Sequence, residues 1–161
     1  YLKNNQQHSN GAIATYTVSE GGKYKVTPYF ASLACQGMLE DIGSYDSAKR
    51  YIMWHLNHIN ETEDVKGTKG TIYDYEYSGD TEINKEDYDS VDSYAAAFLS
   101  VLREYEEKTG DKQLLIDNKE KIRLIAQAVN SMFSETLGLS EATSTYPIYF
   151  LMDNSEVYKR I

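Results

Sequence analysis

The residues best suited to chemistry lie between Thr71 and Leu102, TIYDYEYSGDTEINKEDYDSVDSYAAAFLSVL. Carboxylates stand at Asp74, Glu76, Asp80, Glu82, Glu86, Asp87, Asp89 and Asp92, interleaved with Tyr73, Tyr75, Tyr77 and Tyr88, and Lys85 is the lone base in the stretch. Paired carboxyl groups perform general acid and base work, and cleavage of a glycosidic bond uses such a pair on either side of the scissile bond. Tyrosine faces stack on sugar rings. Asp74 lies between Tyr73 and Tyr75, where apolar rings would raise its pKa as a general acid requires. Asp92 opens the most apolar helix of the chain, and an N-cap role there coexists with a catalytic one. Asp74 and Asp92 are the catalytic candidates.

The aromatic side chains Tyr29, Trp54, Tyr73, Tyr75, Tyr94 and Tyr146 are candidates for stacking on a substrate, each with core packing as its alternative. Asp153 and Glu156 are three residues apart and share a helix face. Asp153 joins the substrate-binding candidates. His55 and His58 lack an HExxH or Cys-rich context for zinc. The run Asp87-x-Asp89-x-x-Asp92 lacks the glycine and closing glutamate of a calcium loop. No phosphate loop, nucleophile elbow or Ser/His/Asp pattern is present. Neither a metal nor a cofactor is expected.

A formal charge of −9, from 16 basic and 25 acidic residues, repels phosphate backbones and argues against nucleic acid as a partner. Neutral polyols meet no such barrier. No apolar run has the length of about eighteen residues that a membrane helix needs. The one cysteine, Cys35, has no partner for an internal disulfide. The chain starts without Met or a signal-like apolar stretch and so reads as a mature or trimmed product. Its compartment is open, the scarcity of cysteine fitting either a cytoplasm or a Gram-positive-type exterior.

These groups must be positioned by helices. Residues 13 to 27 alternate around Gly21-Gly22 and predict a short β-hairpin. Helices are predicted from Pro28 to Ile42, from Ser44 to Ile59, from Asp92 to about Lys108, from Asn118 to about Phe133, and from Pro147 onward. A short strand is predicted over the alternating TIYDYEY segment. Residues 1–161 therefore read as a single all-α domain of antiparallel helical hairpins. The segments 10 to 28, 60 to 92 and 134 to 147 gather at one end, so the long acidic, Tyr-rich insert faces two other long loops.

The segments TPYFASLACQGMLED, WHLNHIN, GTIYDYEY, DSYAAAFLSVLREYEEKTGD and YFLMDNSEVY together resemble the six-hairpin glycosidases. The resemblance implies an (α/α)6 toroid with a sugar-binding cleft at one end and Asp or Glu as acid and base. In that fold Asp92 resembles the aspartate that opens an inner helix, and Asp153 with Glu156 resembles a recurrent segment. A toroid has twelve helices and about five are legible, so the chain is expected to be a fragment, inactive by itself, with the remainder of the domain or a second copy covering its exposed helix faces. The expected function is a glycoside hydrolase acting on a polysaccharide or oligosaccharide. The alternative is a non-catalytic carbohydrate-binding or helical scaffold protein related to such enzymes.

Overall fold

The computed structural model describes residues 1–16 and 22–160, the last two of these by backbone alone. A short helix α1 (Leu2–Asn5) is followed by β1 (Lys23–Val26), α2 (Pro28–Leu39) and α3 (Tyr45–His58). Strands β2 (Tyr75–Ser78) and β3 (Thr81–Asn84) precede α4 (Asp92–Thr109), α5 (Lys112–Asp117) and α6 (Lys119–Ser131). A two-stranded ribbon of β4 (Phe133–Ser134) and β5 (Leu139–Ser140) then leads to α7 (Leu151–Arg160).

The helix boundaries have local causes. Thr27 is extended and Pro28 takes the first helical position of α2, where its missing N–H removes no helical bond. At the C-terminal end of α4, Gly110 adopts φ +70 and returns its N–H to the Glu106 carbonyl, a left-handed cap that glycine forms without Cβ strain. Ahead of that cap α4 carries Ala95, Ala96, Ala97, Phe98, Val101 and Leu102, all buried, so it has little polar face over its first half. It sits in the middle of the molecule, packed against α2, α7, α6 and α3.

The chain is not all-α, and this corrects the fold class read from the sequence. Two antiparallel sheets accompany the helices, a three-stranded one in the order β1-β2-β3 and the ribbon β4-β5. The turn of the hairpin placed on residues 13 to 27 lies outside the described residues, and on either side of it the Thr15 N–H donates to the Lys25 carbonyl at 2.8 Å. β1 also pairs with β2, matching Lys25 to Glu76 and Val26 to Tyr75, about fifty positions along the chain. A ladder of that span joins two inserts that a helix-only arrangement treats as loops. Along β2 the alternation holds, with Tyr75 and Tyr77 buried and Glu76 less so. It fails just before, where Thr71, Ile72, Tyr73 and Asp74 are all buried because protein covers both sides. An (α/α)6 arrangement is therefore withdrawn along with the all-α class. The last helix starts at Leu151 and not at Pro147, Tyr146 to Phe150 forming no helix.

The loop that delivers Asp74 is seated on α6 through Gly70. Its φ is +77, and a Cβ there would stand 2.2 Å from the Leu124 carbonyl oxygen. The Asn60 N–H to Thr71 carbonyl bond and the Gly70 N–H to Asn60 carbonyl bond, each 2.8 Å, close the loop base. Gly70→Ala is expected to lower unfolding free energy by about 2–3 kcal/mol, through the left-handed strain and the backbone clash together. Urea denaturation of that variant measures it. No helix among the described residues is long and apolar enough to cross a membrane.

Candidate functional site

Several of the candidate side chains come together where β1, the 74–94 segment and α7 meet. A cleft of ≈ 390 Å³ is lined by Lys25, Thr27, Tyr29, Phe30, Asp74, Asp87, Tyr88, Asp89, Ser93, Tyr94, Met152 and Asp153. Four of the residues singled out in the sequence, Asp74, Tyr29, Tyr94 and Asp153, meet here from four separate parts of the chain. Tyr29 and Tyr94 stack with centroids 6.2 Å apart and an interplanar angle of 25°. A stacked aromatic wall facing carboxylates suits a ligand with both apolar faces and hydroxyl donors.

Asp74 is held rigidly. Its N–H donates to the Asp87 carbonyl at 2.7 Å and its carbonyl accepts from Lys85 N–H at 3.0 Å. The side chain accepts the Tyr94 hydroxyl at 3.0 Å and the Lys25 ammonium at 2.9 Å. Both partners keep their protons. The bond to Asp74 holds Lys25 above its ordinary value, and burial, reinforced by the Asp74 charge, pushes the Tyr94 phenol far up.

Asp153 has the opposite surroundings. It is 7% exposed, and burial, together with the negative charge of Asp92 behind it, raises its carboxyl from 3.8 to about 6. The Ser90 hydroxyl opposes the shift, while Asp89 and Glu156 add to it. A carboxyl poised there exists in both protonation states near neutral pH, the condition for a general acid.

Asp92 does not line the cleft. It is fully buried and saturated with donors: the Ser90 hydroxyl at 2.5 Å, the Ser93 N–H at 2.8 Å and the Ser140 hydroxyl at 2.5 Å. Ser140 is in turn clasped by Asn154, whose side chain accepts the Ser140 N–H at 2.7 Å and donates to the Ser140 carbonyl at 2.9 Å. The head of α4, the β5 strand and the first turn of α7 are thereby tied into one unit. Asp153, adjacent to Asn154, is presented to the cleft by that tie. Asp92, a catalytic candidate in the sequence, is thus placed behind Asp153 and outside the cleft lining.

Four further aromatic candidates lie elsewhere, and of these Tyr75 is buried in β2 with its ring edge-on to Trp54 and His58. Trp54 is 2% exposed and donates its indole N–H to Glu82 at 2.9 Å. Glu82 also receives Asn10 at 3.1 Å and the Tyr77 hydroxyl, and faces His58 Nε2 at 2.6 Å, a latch between α3, the β2-β3 hairpin and the N-terminal segment. Tyr73 packs on Tyr88 at 6.0 Å and its hydroxyl accepts the Val65 N–H at 2.9 Å. Tyr146 is 57% exposed in a turn closed on Thr143 and is not part of the cleft lining.

Sequence reasoning missed Lys25, Phe30 and Met152 as cleft residues. Lys25 reaches Asp74 because β1 pairs with β2, and a four-residue KYKV strand announces no partner in the sequence. Among the described residues no three His, Cys, Asp or Glu side chains gather as metal ligands. No protein-family model, curated protein or solved structure matches the chain.

Proposed function

We propose that the cleft binds a polysaccharide or oligosaccharide and hydrolyses a glycosidic bond in it. The observation that carries this reading is the pairing, in one aromatic-walled cleft, of a buried carboxyl raised to about 6 with a second carboxylate held by proton-retaining donors. A carboxyl raised toward neutrality suits the acid, and a carboxylate held across the same cleft suits its partner.

Protonated Asp153 gives its proton to the glycosidic oxygen as the bond from that oxygen to the anomeric carbon breaks. Asp74 faces the positive charge that develops on the sugar ring and takes up a proton from the water that adds to the anomeric carbon. Tyr29 and Tyr94 hold the ring by its apolar face, and Lys25 keeps Asp74 from turning away. Charge opposite a developing oxocarbenium ion is where electrostatic stabilisation acts most strongly.

The test is release of new reducing ends from a panel of polysaccharides by the full-length protein. Asp74→Asn is expected to slow release by about 10- to 100-fold, as loss of one charged partner does. Release undiminished in that variant removes Asp74 from the reaction, and release from no member of the panel, with sugar binding retained, replaces the hydrolase with a binding protein.

A further inference from the structure

The cleft is unevenly compensated. Lys25 lies 2.9 Å from Asp74, and Lys66 lies 2.9 Å from Asp87. Asp89 and Asp153 make no ion pair among the described residues. Asp153 is 7% exposed and lines the cleft, and the polar group beside it is the Ser90 hydroxyl, whose own proton is committed to Asp92 at 2.5 Å. A carboxyl buried to that extent looks to a ligand for its donor. Asp89 is exposed in the same cleft, adjacent to the buried Tyr88 ring.

We propose that the ligand is an oligosaccharide carrying protonated amino groups, with Asp89 as the carboxylate that receives the ammonium. This rests on the carbohydrate reading above. A carboxylate in a cleft with low-dielectric walls attracts a cation more strongly than one on open surface, because field lines are focused there. The tyrosine faces of the cleft attract an ammonium as well, through the negative charge above each ring. A uronic acid sugar meets repulsion from the same groups. A neutral or acetylated sugar keeps the stacking and hydrogen bonds and loses the charge interaction.

Calorimetric titration of the full-length protein, below neutral pH and at low salt, tests this with four probes: a glucosamine hexamer, its fully N-acetylated counterpart, a galacturonic acid hexamer and spermine. The glucosamine hexamer is expected to bind about fivefold tighter than the acetylated one, the upper end of what a single partly screened charge pair contributes. In Asp89→Asn that ratio falls to near unity. Equal binding of the two hexamers by the unaltered protein overturns the amine preference and leaves the carbohydrate reading standing. A preference that survives in Asp89→Asn overturns the assignment to Asp89. Spermine bound as tightly as the glucosamine hexamer overturns the proposal in favour of general attraction to an acidic chain. Binding of no hexamer at all overturns the carbohydrate reading itself.

Discussion

Asp153→Asn is expected to abolish glycan cleavage while making the protein more stable above pH 6. Asparagine fills the same volume and cannot donate a proton to a leaving oxygen, so cleavage falls by about 10²–10⁴-fold, the usual contribution of a positioned acid. The stability change has the reverse sign from that of an ordinary surface carboxylate. The folded carboxyl is raised to about 6 from 3.8, so between those values the folded state binds more protons than the unfolded chain. Stability from this group is complete below the lower value and declines as pH rises through the upper one. Two units correspond to about 2.7 kcal/mol, and water in the cleft reduces that, leaving about 1–2 kcal/mol for the neutral variant to recover at pH 7. Urea midpoints at pH 4 and pH 7 measure it: the difference between variant and unaltered protein should be small at the lower pH and favour the variant at the higher. A variant that is both inactive and less stable at pH 7 points to a structural role for Asp153.

Asp92→Ala is expected to cost about 3–5 kcal/mol. The substitution orphans the Ser90 and Ser140 hydroxyls and the Ser93 N–H, each buried, at about 1–3 kcal/mol apiece before they find one another as partners. It also unfastens the β5 strand from α4, and Asn154 then holds α7 to a strand that no longer has an anchor. Chemical denaturation gives the cost directly. A loss below about 1 kcal/mol contradicts the view that this carboxylate fastens three elements together.

How much of this was legible in the chain depends on how far apart the cooperating residues lie. The helices were legible because apolar spacing, Pro28, Gly110 and Asn118 are local signals, and α3 ends within a residue of its expected limit. The central position of α4 followed from its lack of a polar face. Strands were legible over residues 13 to 27 and in TIYDYEY, where β1 and β2 fall, but their pairing was not, since it is a contact across about fifty residues and β1 is four residues long. That hidden ladder also conceals Lys25, and with it the partner that distinguishes Asp74 from its acidic neighbours.

The cleft itself was half legible. Asp74, Tyr29, Tyr94 and Asp153 were each singled out by type and context, but the sequence ranked Asp92 above Asp153. The sequence put Asp92 at a helix start and Asp153 inside a helix expected from Pro147, whereas the helix begins at Leu151 and Asp153 stands in its first turn. What separates them is depth: the Ser90, Ser93 and Ser140 donors surround Asp92 completely, while Asp153 is left facing the cleft with Asp92's charge at its back. Trp54 and Tyr73 looked like sugar platforms because buried and cleft-lining aromatics have the same composition. Glu82 and the Val65 N–H claim their polar atoms instead.

The most direct test of the central claim is the pH dependence of reducing-end release by the full-length protein, compared between the unaltered chain and Asp92→Asn. Asparagine keeps the shape at that position and removes the charge that helps raise Asp153. The expected result is an alkaline limb near pH 6 in the unaltered protein, displaced toward lower pH in the variant with cleavage retained at the acid side. An alkaline limb that stays in place, in a variant that folds and cleaves, contradicts Asp153 as the acid.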